Sequence, residues 1–119
     1  MLTLSRDGAG IPADWLGVDM HVHSAASDGL PCVDTILERA KRRGIGVAIT
    51  DHNTIAGSIE ACEKANDVVV VPGIEVSSDQ NVHMLVYFRR PSELESFFLR
   101  VIEPHCRSHL FCKGIHLPA

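Results

Sequence analysis

Residues 18–29 read VDMHVHSAASDG. Val18, Met20 and Val22 alternate with Asp19, His21 and His23, the period-two pattern of a strand, Val18 to His23, with one apolar and one polar face. Alternate strand residues project from one face, so His21 and His23 point the same way and two imidazole nitrogens can converge on one ion. A strand whose histidines are ordinary hydrogen-bonded residues fits the same pattern, so His-x-His alone does not decide the matter. A small polar loop carrying Asp28 follows.

The order then repeats. Pro31 to Arg43 places Val33, Ile36, Leu37 and Ala40 at helical spacing, ends in Lys41-Arg42-Arg43 and stops at Gly44, where a C-terminal cap is expected. The basic tripeptide invites a nucleic-acid reading, but cations in a helix's last turn are favoured by the macrodipole alone. Gly46 to Thr50 is a short apolar run leading into Asp51-His52-Asn53-Thr54, and Ile55 to Ala65 reads as a second helix. Val68 to Val71 is apolar without alternation, as expected for a strand buried on both faces of a parallel sheet, and continues through Pro72-Gly73 to Ile74-Glu75-Val76-Ser77. After the turn Ser78-Asp79-Gln80-Asn81, Val82 to Phe88 reads as a strand antiparallel to its predecessor, because the link is so short. Pro91 opens a third helix, Ser92 to about Ile102, with Leu94, Phe97, Phe98 and Val101 on one face. Strands alternating with helices specify an α/β domain with a mainly parallel sheet.

A chain of 119 residues is sized for one domain. It has no apolar run long enough to span a bilayer and no signal-peptide pattern, so it is read as soluble, cytoplasmic and without a membrane partner. Cys32, Cys62, Cys106 and Cys112 show no C-x-x-C spacing, and reduced thiols are expected. A net charge of -4 argues against a protein that wraps duplex DNA by bulk electrostatics.

Ligands of parallel α/β sheets bind at the carboxyl ends of the strands. His21 and His23 close the first strand, Asp28 lies in the next loop, Asp51 and His52 close the second, Glu75 ends the third and His83 lies in the fourth. Singly, each reads as a structural polar residue. Together, four elements deliver ligand types to one rim, which points to a divalent-metal site whose mixed donors suit zinc, manganese or iron better than calcium. Arg89 and Arg90 could hold a substrate phosphate by bidentate contacts, or be solvated surface charge.

DMHVHSAASDG, AITDHNT, VPGIEVS and VHMLVYF resemble, in order, the N-terminal motifs of the PHP superfamily, the polymerase and histidinol phosphatase group. The resemblance runs from Val18 to Phe88. It implies part of a distorted (β/α)7 TIM-like barrel, two or three metal ions, and hydrolysis of a phosphate ester by metal-activated hydroxide. The substrate implied is a phosphorylated small molecule or nucleotide. Carried over by motif, His21 and His23 would bind a first metal with Glu75, Asp28 and His52 a second, and Glu75 would bridge to a third held by His83. Asp19 and Asp51 would be supporting catalytic residues that orient imidazoles.

The family's later motifs, a His commonly followed by Pro and a final Asp-x-His, are not in this sequence. Each expected metal then lacks a ligand, and the sheet keeps an open edge that a second copy or a partner chain would have to cover. A weak or inactive metal-binding regulatory or interaction module, or a truncated fragment without activity of its own, is the alternative. Residues 1–17 read as an N-terminal extension, 18–103 as the PHP-like domain and 104–119 as an irregular tail. The tail's His105, Cys106, His109, Cys112 and His116 could form a separate zinc site, but their spacing is irregular and a loop is expected.

Overall fold

The computed structural model describes residues 17–106 of the chain. In order they form β1 (Gly17–Val22), α1 (Val33–Arg43), β2 (Ile45–Ile49), α2 (Ala56–Lys64), β3 (Gly73–Ser77), β4 (His83–Tyr87) and α3 (Pro91–Phe97). β1 and β2 pair in parallel, with a register irregularity between Asp19 and Val22. β3 and β4 pair antiparallel, Gly73 opposite Tyr87 and Ser77 opposite His83. Two single parallel bridges, Val47 with Val70 and His52 with Glu75, join one pair to the other. The α/β order with mainly parallel neighbours is therefore present, and β4 returns antiparallel as its short link requires.

The valine run departs from expectation. Only Val70 bridges to β2, and Val71 is buried while Val68, Val69 and Val70 are half-buried. The strand buried along its whole length is β3 instead. Pro72 has no N–H to donate to a ladder, so pairing with the β2 side lapses there. It resumes where the Glu75 N–H reaches the Asp51 carbonyl at 3.1 Å and the Asn53 N–H reaches the Glu75 carbonyl at 3.0 Å.

α1 starts at Val33 and ends at Gly44, whose φ of 66° is the left-handed cap conformation that glycine adopts freely. Its buried face, Val33, Ile36 and Ala40, packs with Val47 and Ile49 of β2 and Ala61 of α2. A second core joins Ile74 and Val76 of β3 to Leu94 of α3 and Ile102. The third helix is α-helical only to Phe97, then π-helical over Phe98–Ile102 and 3₁₀ over Glu103–His105. A regular α-helix would set Leu94 and Ile102 about 80° apart around its axis. The wider π turn reduces rotation per residue and brings Ile102 back over the same core, where both side chains are fully buried.

Of the expected tail, His105 ends the 3₁₀ turn and Cys106 packs against the second core, while His109, Cys112 and His116 lie outside the described residues. Cys32 and Cys62 are free thiols, and burial pushes the Cys62 thiol up to about 11. Among the described residues no helix is long and apolar enough to cross a membrane.

The Tyr87 hydroxyl donates to the Met20 carbonyl, tying β4 to β1. Flat sheet spacing would separate those strands by about 14 Å, beyond the reach of a tyrosine, so the sheet curls. Gly73 makes room for the ring, since a Cβ there would meet Tyr87 Cδ1 at 3.1 Å. Tyr87→Phe keeps the ring and removes the tie, and should cost about 1 kcal/mol, read as a lower urea midpoint. An unchanged midpoint would show that the hydroxyl contributes nothing.

Candidate metal centre

Period-two geometry puts Gly73, Glu75 and Ser77 on one face of β3, with their cross-strand partners Tyr87, Leu85 and His83 on the same side. The opposite face, Ile74 and Val76, belongs to the second core. The bridge between His52 and Glu75 brings the end of β2 alongside, and β1 delivers its histidines from beyond it. Glu75, only 5% exposed, is the hub. Its Oε1 lies 2.7 Å from His21 Nε2 and 2.9 Å from His23 Nε2. Its Oε2 lies 3.4 Å from His52 Nδ1 and 3.2 Å from His83 Nδ1. Asp28 closes the other side, with Oδ1 2.7 Å from His23 Nδ1 and Oδ2 3.1 Å from His52 Nε2.

Among the described residues these six fall into three overlapping groups: His21, His23 and Glu75; His23, Asp28 and His52; and His52, Glu75 and His83. Ligand atoms within each group lie within 4.8 Å of one another. The structure thus brings all six sequence-nominated ligands together, with His23, His52 and Glu75 each shared between two groups.

Burial pushes the Glu75 carboxyl up, but hydrogen bonds from His21 and His23 and the charges of His52 and His23 outweigh it and hold the group below the ordinary carboxylate range. Burial likewise raises the Asp28 carboxyl, and His23 and His52 overcome it. Both carboxylates are therefore ionised at neutral pH. Because these folded-state values are depressed, the stabilisation they bring is present above the ordinary carboxylate range and lost as pH falls through the depressed values.

A metal ion suits this donor set on the evidence of the rings themselves. A neutral imidazole has one N–H, yet His23 faces carboxylate oxygens with both nitrogens, and His52 does the same. An imidazolium would meet both carboxylates with N–H groups, whereas neutral rings would leave lone pair against lone pair, a conflict that a shared cation relieves in place of the protons. A tetrahedral shell with bonds near 2.1 Å spaces its ligand atoms about 3.4 Å apart, so the contacts of 2.7–3.4 Å here, which are hydrogen-bond spacings, would widen by a few tenths of an ångström, ~0.7 Å at most, to admit an ion.

The two supporting aspartates have different partners from those expected. Asp51, 1% exposed, accepts from the Ser24 N–H at 2.7 Å, the Ser24 hydroxyl at 2.6 Å and the Ser27 hydroxyl at 2.7 Å. It holds the loop that carries Asp28 rather than an imidazole, because it lies just past β2, facing that loop. Gly57 backs the contact, as a Cβ there would come within 2.5 Å of Asp51 Oδ2. Gly29 lets the loop fold onto β1, since its Cβ would meet the His23 carbonyl oxygen at 2.2 Å. Asp19 Oδ1 accepts the backbone N–H of His21 at 3.2 Å, a contact with the main chain of a ligand and not its ring.

Arg89 and Arg90 are not brought to the cluster. His83 opens β4 beside Ser77, and the antiparallel strand then runs away from it, leaving the exposed arginines about 20 Å further along the chain. Ser24, Ser27, Asn53 and Ser77 are site residues that the sequence reading passed over. Ser77 was within reach, being two residues after Glu75 and so on its face.

The family model of the PHP domain matches residues 19–109. A phosphoribosyl 1,2-cyclic phosphate 1,2-diphosphodiesterase of Eggerthella lenta is 43% identical over 75 residues, 56% of this chain and 29% of that protein. A 5'-3' exoribonuclease of Haemophilus influenzae is 41% identical over 64 residues, 51% of this chain and 23% of its own length. Among solved structures, a Bifidobacterium adolescentis protein inferred to be a metal-dependent phosphoesterase matches with TM-score 0.57 and 37% identity, over 70% of this chain and 32% of that one. The chain therefore spans between 23% and 32% of the length of these proteins. Since the family model covers well over half of the chain and takes in every residue of the cluster, the chain belongs to the PHP domain family.

Proposed function

We propose that this chain carries part of the metal centre of a PHP-type phosphoesterase acting on a phosphorylated small molecule or nucleotide. The observation that carries the reading is the set of three overlapping His and carboxylate groups around Glu75. In this reading His21, His23 and Glu75 hold one ion, Asp28 and His52 a second, and His83 with Glu75 a third, with zinc, manganese or iron as the metal. Such ions, when bound, lower the pKa of a water and neutralise charge on phosphoryl oxygens. Glu75 spreads one carboxylate between neighbouring positions, and Asp51 keeps Asp28 at the second through Ser24 and Ser27. Relatives named as a cyclic phosphate diphosphodiesterase and an exoribonuclease favour a phosphodiester substrate.

The curled sheet is read as an arc of a TIM-like barrel within a domain of about residues 18–103, in a cytoplasmic protein. Its β4 side exposes Val82, Met84 and Leu85, a surface that further barrel wall, from a second copy or a partner chain, would cover. The test is the metal-loaded full chain assayed with a cyclic ribose phosphate, a short RNA and an aryl phosphate, alongside its mass in solution. Release of phosphate or nucleotide is expected. No turnover with zinc, manganese or iron on any of the three would overturn the enzymatic reading.

A further inference from the structure

Resting on the metal reading above, we infer that Asn53 is a positioning residue whose side-chain amide replaces main chain that has turned away from β3, and so keeps His52, Glu75 and His83 in reach of one ion. Past the end of β2 the chain still runs beside β3 with the bonds of a parallel ladder. The Glu75 N–H reaches the Asp51 carbonyl at 3.1 Å, and the Asn53 N–H reaches the Glu75 carbonyl at 3.0 Å. A main-chain ladder would continue from the Ser77 N–H to the carbonyl of Asn53, then from the N–H of Ile55 to the Ser77 carbonyl.

The Asn53 side chain takes both bonds instead. Its Oδ1 accepts the Ser77 N–H at 2.9 Å, and its Nδ2 donates to the Ser77 carbonyl at 2.9 Å. The orientation of the amide follows from Ser77 itself, since a backbone N–H only donates and a carbonyl only accepts. Meanwhile the main chain leaves the sheet at Asn53, whose φ of 50° is left-handed, and enters α2 at Ala56.

Two consecutive inward-facing residues of β3, Glu75 and Ser77, are therefore pinned from Asn53, one by its backbone and one by its side chain. His52 immediately precedes it and bridges to Glu75. His83 pairs with Ser77 across the hairpin. The amide thus fixes the strand end where His52, Glu75 and His83 meet. His21 and His23 come from β1 and need no such bond. A left-handed turn alone does not call for an amide, because glycine adopts it freely. Burying one, as here at 3% exposure, is costly unless it is bonded.

The test is zinc titration of the full chain followed by histidine-selective ¹⁵N NMR. Asn53→Gly keeps the turn without strain and removes the amide. Its His52 and His83 signals should need about ten- to a hundredfold more zinc, the effect of losing a group behind a ligand, while His21 and His23 respond as in wild type. Asn53→Asp keeps the acceptor for the Ser77 N–H but sets an oxygen against the Ser77 carbonyl, so it should weaken the same two responses, and it decides the matter if glycine loosens the fold. Ser58→Ala, which removes the hydroxyl that accepts the Gly73 N–H at 3.0 Å at the other end of β3, should leave all four histidines unchanged. A wild-type response in both Asn53 variants, equal weakening at all four histidines, or the same loss in Ser58→Ala would overturn the inference and leave the metal centre standing. A wild type that takes up no zinc, manganese or iron would overturn the metal reading and this inference with it.

Discussion

Glu75→Gln is expected to lower zinc affinity at least about a hundredfold, beyond the effect of losing an outer partner. The substitution keeps size and shape but removes the charge that both oxygens share. Oε1 receives His21 and His23 from one side, and Oε2 faces His52 and His83 on the other. An amide nitrogen placed toward either pair can only donate, so it cannot ligate an ion and opposes any imidazole N–H there. Elemental analysis of protein purified without added metal, followed by zinc titration, reads the result. Lys41→Ala is the control, because its ion pair with Asp67 at 3.0 Å joins two well-exposed groups and is worth little. Metal content equal to wild type in Glu75→Gln would remove Glu75 from the centre.

The ligands were legible because local periodicity dictates where each one points. His21 and His23 share a face by strand alternation, and the short turn after Ser77 obliges β4 to return and set His83 beside it. What was not legible depends on contacts between distant elements. Asp51 sits next to His52 in sequence, which suggests a partnership, but side chains of adjacent residues at a strand end diverge, and the Ser24 loop arrives from β1 to claim the carboxylate. Arg89 and Arg90 follow a ligand-bearing strand, but only the direction of the hairpin shows that they leave the cluster behind. The valine run looked more buried than β3 because apolar composition records what a segment can bury. Glu75 and Ser77 are buried on β3 despite their polarity, since histidines on neighbouring elements partner them. The π turn after Phe97 is likewise a tertiary adjustment that keeps Ile102 over Leu94, and no local signal marks it.

That dependence on tertiary contacts makes Asp51→Ala the most damaging change for the fold itself. Asp51 accepts three hydrogen bonds, and the Ser24 N–H and hydroxyl among them belong to a residue 1% exposed. Bonds to a charged acceptor contribute about 1.5–3 kcal/mol each and do not add simply, because burying the carboxylate has its own cost. Removing the acceptor strands buried donors, so a loss of about 3–5 kcal/mol is expected, a large share of the 5–15 kcal/mol typical of a domain. Asp51→Asn separates charge from shape: its carbonyl oxygen still accepts, the serine hydroxyls can rotate to accept from the amide, and the loss should be about half as large. Urea unfolding of both variants measures this. Zinc titration of Asp51→Asn then shows whether the loop still delivers Asp28, with weaker binding expected where Asp28 and His52 meet and little change at His21 and His23. If Asp51→Ala unfolds within 0.5 kcal/mol of wild type, about the range of ordinary surface substitutions, the carboxylate does not hold the loop, and the placement of Asp28 must rest on the Ser24 to Pro31 backbone turn alone.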